Sequence, residues 1–438
     1  MFKTFKNALK VKEIRQKLLY TFIMMIIVRL GCQLPIPGTS KSAIQSVMGS
    51  LATSEAYSFF SAFTGGSLEQ MSVFALSITP YITSSIIMQL LTIAIPKLEE
   101  LQNEGESGRK KIAEYTRYVT VALAVIESIA MAIGFGNQGV FGNVKAMSGM
   151  RYFFTMFTVV VTMTAGSAVL MWIGERITEK GVGNGISVIL MINIIARIPS
   201  DLYALYQTKV KITETNGRSL GGAALAAFII VFVIVAMIAF VVALQAAQRK
   251  IPVQYAKKVQ GRQMVGGNSS HIPLKVNTAG VIPVIFASTL LSVPLTIVNF
   301  TSLDTTWWEM IFSYEKPIGF AIYIILIFLF SFFYSFLQIS PEKMAENLKK
   351  QNAYIPGVKP GEDTAAYISK VLFKVTLLGA TYLAIIASIP MIVTLVFNIT
   401  SSDVSVLGTS IMIVVGVAIE TAKQIKTQVQ SQEYHGFM

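Results

Sequence analysis

The chain offers few residue patterns that could carry covalent chemistry. It has four aspartates, Asp201, Asp304, Asp363 and Asp403, and each falls in a loop or at the end of an apolar segment. An aspartyl protease working inside a membrane needs two carboxylates at depth, so the placement argues against that chemistry. The sequence contains no HExxH, no serine in a GxSxG frame and no GxxxxGK[ST] phosphate loop, which removes the zinc-peptidase, serine-hydrolase and P-loop readings. Cys32 is the single cysteine, and His271 and His435 lie far apart. No intrachain disulfide can form, and neither a Cys/His metal site nor a cofactor is expected. Ion coupling calls for a carboxylate near the membrane midplane. Glu127 is the clear candidate, and alone it reads as a carboxylate paired inside a bundle or reaching the interface. Arg29 and Lys374 also fall in apolar stretches. Each would cost about 2.5–3.5 kcal/mol at a helix centre, so both are expected near span ends or paired.

The elements that hold these residues are membrane spans. Of 438 residues, 53% are hydrophobic and 13% are charged, about half the charged share of a soluble globular domain. A hydrocarbon core of about 30 Å takes about 20 helical residues. On that measure ten segments qualify, at about 18–36, 72–95, 114–135, 152–173, 184–203, 219–244, 279–299, 317–337, 369–397 and 406–424. The fold class is therefore an all-α polytopic membrane protein. Five spans precede the polar stretch 204–218, read as an external hinge loop, and five follow it. An odd count per half gives the halves opposite orientation, the arithmetic of an inverted repeat with function between the halves.

The charges set the orientation. The net charge of +13 would suit nucleic acid, but lysine and arginine concentrate in alternate loops, the bias of the positive-inside rule, with 204–218 and its Lys209, Lys211 and Arg218 as the exception. Both termini are expected to be cytosolic and no direct DNA binding is expected. The N-terminal 1–17 places Phe2, Phe5, Leu9 and Ile14 near one helical face among lysines, which suits an interfacial helix on anionic lipid. The C-terminal 425–438 reads as a cytosolic tail. Two cytosolic loops, about 246–278 and 338–366, are longer than orientation needs. The first carries Arg249, Lys250, Lys257, Lys258 and Arg262 and no acid. Such loops are candidate docking surfaces for an acidic partner.

One segment fits neither category. The run YSFFSAF at 57–63 is apolar, about two helical turns long, and stops at Gly65-Gly66. At 1.5 Å per residue it spans about 10–15 Å and cannot cross a membrane. The glycine pair permits a sharp reversal.

Several stretches together identify a family. They are LPIPG at 34–38, TGGSLEQMSVFALSITPYITSSIIMQLL at 64–91, EGESGRKKIAEYTRY at 104–118, GERITEKGVGNGISVI at 174–189, NTAGVIPVIFAS at 277–288 and IPGVKPGEDTAAYI at 355–368. In this order, over about residues 5 to 430, the chain resembles the SecY family, the channel subunits of the bacterial Sec translocase. The resemblance implies an hourglass pore between two five-helix halves in the cytoplasmic membrane. It also implies no catalytic activity of the chain's own.

The family's residues carry over by motif. A sealing ring is implied at Ile78, Ile82, Ile186, Leu190, Ile285 and Ile413, with Leu190 standing where isoleucine is common. A plug is implied at about 57–66, including Tyr57, Phe59, Phe60, Phe63, Gly65 and Gly66, with the weakly polar Ser58, Ser61 and Thr64 letting it leave for water. A gate that opens sideways to lipid is implied between spans two and three and spans seven and eight, its polar seam including Gln89, Thr120, Ser288 and Thr289. Pro80, Pro283 and Pro294 would loosen the gate helices. The two long loops would engage the SecA ATPase or the ribosome, with Lys359 standing where arginine is common; lysine keeps the charge but loses the planar fork. SecE and SecG subunits and signal-bearing preproteins complete the implied partners. A secondary transporter is the alternative of a different class, and the missing in-membrane carboxylates speak against it.

Overall fold

The computed structural model describes residues 11–51, 61, 63–141, 149–207, 220–255, 258–260, 263–265, 269–300, 305–313, 316–397 and 401–435. All ten apolar segments coincide with helices. In the N-terminal half these are α1 (Lys12–Gly31), α3 (Thr79–Ala94), α5 (Glu106–Asn137), α6 (Gly149–Lys180) and α7 (Gly185–Leu205), with α2 (Lys41–Leu51) and α4 (Pro96–Asn103) as short additions. In the C-terminal half they are α8 (Leu220–Ala246), α9 (Ile282–Phe300), α11 (Pro317–Gln338), α13 (Glu362–Phe397) and α14 (Ser401–His435), with the short α10 (Thr305–Phe312) and α12 (Pro341–Lys350) between them. Among the described residues six helices are long and apolar enough to cross a membrane, or seven if α3 and α4, bent by 101°, form one span.

The packing pairs α3 with α5, α5 with α6 and α6 with α7 in the first half, and α9 with α11, α11 with α13 and α13 with α14 in the second. The halves meet along α7–α14 on one side and where α9 meets α3 and α5 on the other. Small residues allow the tightest approaches. A Cβ on Gly166 would lie 2.0 Å from the Val73 carbonyl oxygen, so α6 presses directly on the backbone before α3.

Span two is shorter than its apolar stretch. The sequence predicts 72–95, but 72–78 is turn and bridge, and α3 begins at Thr79. Pro80 sits in the first helical turn, where its missing N–H costs nothing. It therefore starts the helix and does not loosen it; Pro283 likewise lies at the start of α9, while Pro294 is inside it. Irregular backbone survives at membrane depth only where protein surrounds it. Here Met71, Ser72, Ala75, Leu76, Ser77 and Ile78 are all buried. The Ser67 hydroxyl donates to Phe74 O at 2.9 Å and Val73 N donates to Leu34 O at 2.9 Å, which satisfies this backbone.

The two ends of the chain differ from the sequence reading. Residues 12–17 are the first turns of α1 and not a separate surface helix. Ile14 packs with Val182, Ile425 and Val429 rather than facing lipid. At the C-terminal end α14 runs on to His435, so residues 425–435 of the expected tail continue the helix of span ten. Phe2, Phe5 and Leu9 lie outside the described residues, as do residues 208–219, most of the expected hinge loop.

The long loops bring a departure from an all-α chain. β1 (Gln248–Tyr255) pairs antiparallel with β4 (Ser269–Lys275) and, at its end, with β5 (Ala353–Tyr354) of the second loop, giving the order β4-β1-β5. β2 (Lys258–Gln260) and β3 (Gln263–Val265) form a small hairpin between them. Ile251 and Val253 alternate inward along β1, the period-two pattern of a half-buried strand. They meet Leu274, Leu348, Ile355 and Ile368 in one apolar cluster, so loops that the sequence treats as separate are a single body.

Candidate functional site

The implied ring residues gather in two adjoining apolar clusters. Leu190, Ile285 and Ile413 are buried in one, together with Phe63, Ile194, Phe286 and Met412, and Ile82 packs against it. Ile78 is fully buried in a second cluster with Leu170, Ile173 and Ile189, and Ile186 packs against that one. Ile82 touches both clusters and links them. Ile186 also approaches α6, its Cγ1 3.3 Å from a Cβ built on Gly174. Asn184 positions this stretch by capping α7, its side-chain oxygen accepting from Ile186 N at 3.1 Å. A constriction lined by branched aliphatics offers a passing chain no hydrogen bonds and dewets when empty.

The end of the short aromatic run joins the first of these clusters through Phe63. Tyr57, Phe59 and Phe60 fall outside the described residues, as does Ser58. Ser61, Phe63 and Thr64 are helical and buried, and Gly65 and Gly66 turn the chain with φ of +63° and +82°. Ser61 and Thr64 do not present loose polarity to water. The Ser61 hydroxyl donates to Glu69 Oε1 at 2.6 Å, and Thr64 Oγ1 donates to Ser61 O at 3.1 Å. Phe63 O accepts from Asn193 Nδ2 and from Ser77 Oγ, each at 3.2 Å. Gly65 O accepts from Arg29 Nη1 at 3.2 Å. Arg29 thus sits in the last turn of α1, where a cation suits the helix dipole, and is paired as expected. Glu127 is half-buried within α5, and Lys374 is exposed on α13.

The seam between spans two and eight carries a contact that sequence reading missed. The Tyr334 hydroxyl on α11 donates to Gln89 Oε1 on α3. Tyr334 is buried and packs edge-on to Phe286 of α9, which holds its ring in place. The signal available was a polar-tipped aromatic inside an otherwise apolar span. Thr120 shares a hydrogen bond with Ser84 at 2.5 Å, joining α5 to α3 on one side of the seam. Ser288 and Thr289 are buried and donate back to their own helix, to Val284 O at 2.7 Å and Ile285 O at 2.7 Å. At the end of the seam nearest the loops, a cleft of about 580 Å³ opens between α4–α5 and α11–α12, bordered by Glu99, Arg109 and Met344. Lys343 Nζ donates across it to Asn103 Oδ1 at 3.0 Å.

Of the basic loop residues, Arg249 and Lys250 are exposed on β1 and Lys359 is exposed at the tip between α12 and α13. Lys257 and Arg262 lie outside the described residues, and of Lys258 only the backbone on β2 is described. On α12 the Lys350 ammonium, hydrogen-bonded to Glu346, holds that carboxyl below its ordinary range.

A family model described as SecY matches residues 72–422. The chain belongs to the SecY family. The Protein translocase subunit SecY of Halalkalibacterium halodurans is 43% identical over 446 residues, covering all of both chains. That of Bacillus subtilis is 42% identical over 443 residues, again with full coverage of both. The fold also matches a solved structure described as a protein conducting channel, with a TM-score of 0.66 at 17% identity, over 96% of this chain and 94% of the other. It matches Sec61 in a canine ribosome–channel complex from the endoplasmic reticulum, with a TM-score of 0.60 at 15% identity, over 96% and 94%. As a SecY-family member the chain is a channel subunit of a bacterial protein translocase, a multi-pass membrane protein of a non-catalytic family. The two five-helix groups are the SecY channel body.

Proposed function

We propose that the chain passes unfolded polypeptides between its halves at the linked apolar clusters, with Ile78, Ile82, Ile186, Leu190, Ile285 and Ile413 closing around the moving chain. The observation that carries this is the convergence of Leu190, Ile285 and Ile413, from three distant spans, on one cluster that also contains Phe63. The segment 57–66 is the plug of the resting channel. The seam held by Tyr334 and Gln89 is the lateral gate, with Thr120, Ser288 and Thr289 along it. A neutral hydrogen bond between membrane helices contributes about 1 kcal/mol, weak enough for an apolar signal helix to displace. The joined loops form a basic platform, presenting Arg249, Lys250 and Lys359, for SecA or a ribosome. SecE and SecG are the expected companion subunits, and both termini face the cytosol with the basic loops.

The direct test is reconstitution with SecE, SecG and SecA and protease protection of a preprotein. ATP-dependent protection is expected; none, with partners proven active elsewhere, would sink the channel reading. Cysteines at Ile82 and Ile285 are expected to crosslink to a stalled chain, while lipid-facing controls such as Phe228 stay unlinked. Crosslinks at the controls alone would move the path elsewhere.

A further inference from the structure

We propose that Arg197, Glu69 and Arg29 are positioning residues that clamp the base of the plug to the N-terminal half, so that parting the halves and releasing the plug are separate steps. The inference rests on the channel reading above. Three alternate positions at the plug base, Ser61, Phe63 and Gly65, are each held by groups from outside the plug. Glu69 Oε1 accepts from Ser61 Oγ at 2.6 Å and lies 3.1 Å from Arg197 Nη1. Glu69 therefore couples the plug's last turn to α7. Arg197 Nε in turn donates to Asp201 Oδ1 at 3.1 Å, which fixes the guanidinium plane. The Arg197 and Asp201 side chains are each only 16% exposed and Glu69 is 43% exposed. A mostly buried arginine that loses one of its two carboxylates is left under-compensated, so the contact resists breaking.

Phe63 O is held by Asn193 and Ser77, and Gly65 O by Arg29. The fit at Gly65 is close: a Cβ there would lie 2.8 Å from Arg29 Nη1 and 2.9 Å from Asn193 Cα. These holding groups lie on α1, α7 and the turns flanking the plug, all within the N-terminal half. The Phe63 ring, by contrast, packs in the cluster that contains Ile285, Ile413 and Met412 of the C-terminal half. When the halves part, Phe63 leaves those residues while every polar contact at the base can stay made. The plug base travels with the N-terminal half, and clearing it requires the clamp itself to open.

The test uses the full chain in its assembled complex in proteoliposomes, reading resting ion leak with no preprotein present. Glu69→Gln keeps an oxygen for Ser61 but removes the charge; Arg197→Gln removes the other partner. Each is expected to raise resting leak about tenfold, the loss of one charge-assisted contact. The double variant is expected to leak no more than either single, because all three remove the same contact. Unchanged leak in Glu69→Gln, or additive leak in the double, would overturn the clamp. Should Arg197→Gln fail to assemble, Arg197→Met, which removes the charge and keeps the length of the side chain, paired with Glu69→Gln gives the same comparison. A deletion of 57–66 separates the two readings. Raised leak in the deletion with unchanged leak in the clamp variants refutes the clamp and leaves the plug standing. Unchanged leak in the deletion refutes both.

Discussion

The base of the proposed plug and the seam between spans two and eight are set in the same apolar bundle but held by different kinds of contact. At the plug base the contacts are charged or fix backbone carbonyls: Arg197 to Glu69, Arg29 to Gly65 O, Asn193 to Phe63 O. At the seam Tyr334 meets Gln89, both neutral, beside rings of Phe286 and Phe330. The Arg29–Gly65 O hydrogen bond is charge-assisted, a kind about twice as strong as a neutral one, and Arg197 and Glu69 form an ion pair. The seam therefore suits a surface that must part for each client, and the plug base suits a part that must return to the same place. The neutral seam also leaves no buried charge behind when it opens, which a charged seam would.

The largest effect should come from removing the plug altogether. Deleting 57–66 is expected to produce a large resting leak, read as ion flux from loaded vesicles, while protease protection of preproteins persists. A leak no greater than that of Tyr334→Phe would reverse the comparison.

A smaller effect is expected from Gly65→Ala. The left-handed φ alone disfavours alanine by about 1–2 kcal/mol, and the added Cβ would meet Asn193 Cα at 2.9 Å. Resting leak should rise by about tenfold, since 1.4 kcal/mol is one decade, and the melting temperature should fall. Normal leak would show that the reversal at Gly65 tolerates a side chain.

Tyr334→Phe sharpens the other side. Losing about 1 kcal/mol across the seam should favour the open gate by about fivefold. The readout is translocation of preproteins with weakened signal sequences, which should improve while resting leak changes less than in Gly65→Ala. The smallest change is expected for Lys343→Ala. Its contact to Asn103 is exposed, and surface substitutions of this kind stay within about 0.5 kcal/mol. A strong gating defect there would mean that the cleft beside it, and not Tyr334, governs the seam.

Much of the fold was legible along the chain because spans are written as runs of apolar residues. The ten segments each became a helix, and Gly65-Gly66 made the reversal their backbone freedom allows. Span ends were less legible. Apolarity continues through 72–78, yet buried turns occupy that stretch because backbone bonds to Leu34 and Ser67 replace helical ones. The sheet was missed because its strands carry Pro252 and Pro273 and complete their apolar face only with Leu348 and Ile355 from another loop. Arg29 was flagged by its cost in an apolar span, whereas Glu69, Asn193 and Arg197 drew no notice, since a polar residue shows its partner only in three dimensions.

By itself the sequence determined that this is a polytopic helical protein of the SecY type, a non-catalytic family. Hydropathy and charge are properties of each residue against its solvent, so they can be read one segment at a time. Only the tertiary structure decided that Ile78 and Ile186 sit in a cluster beside that of Leu190, Ile285 and Ile413, that Tyr334 reaches Gln89, and that Ser61 is tied through Glu69 to Arg197. Those are pairings between residues as much as 245 positions apart. Contact at that separation is set by how helices pack, and no local pattern encodes it.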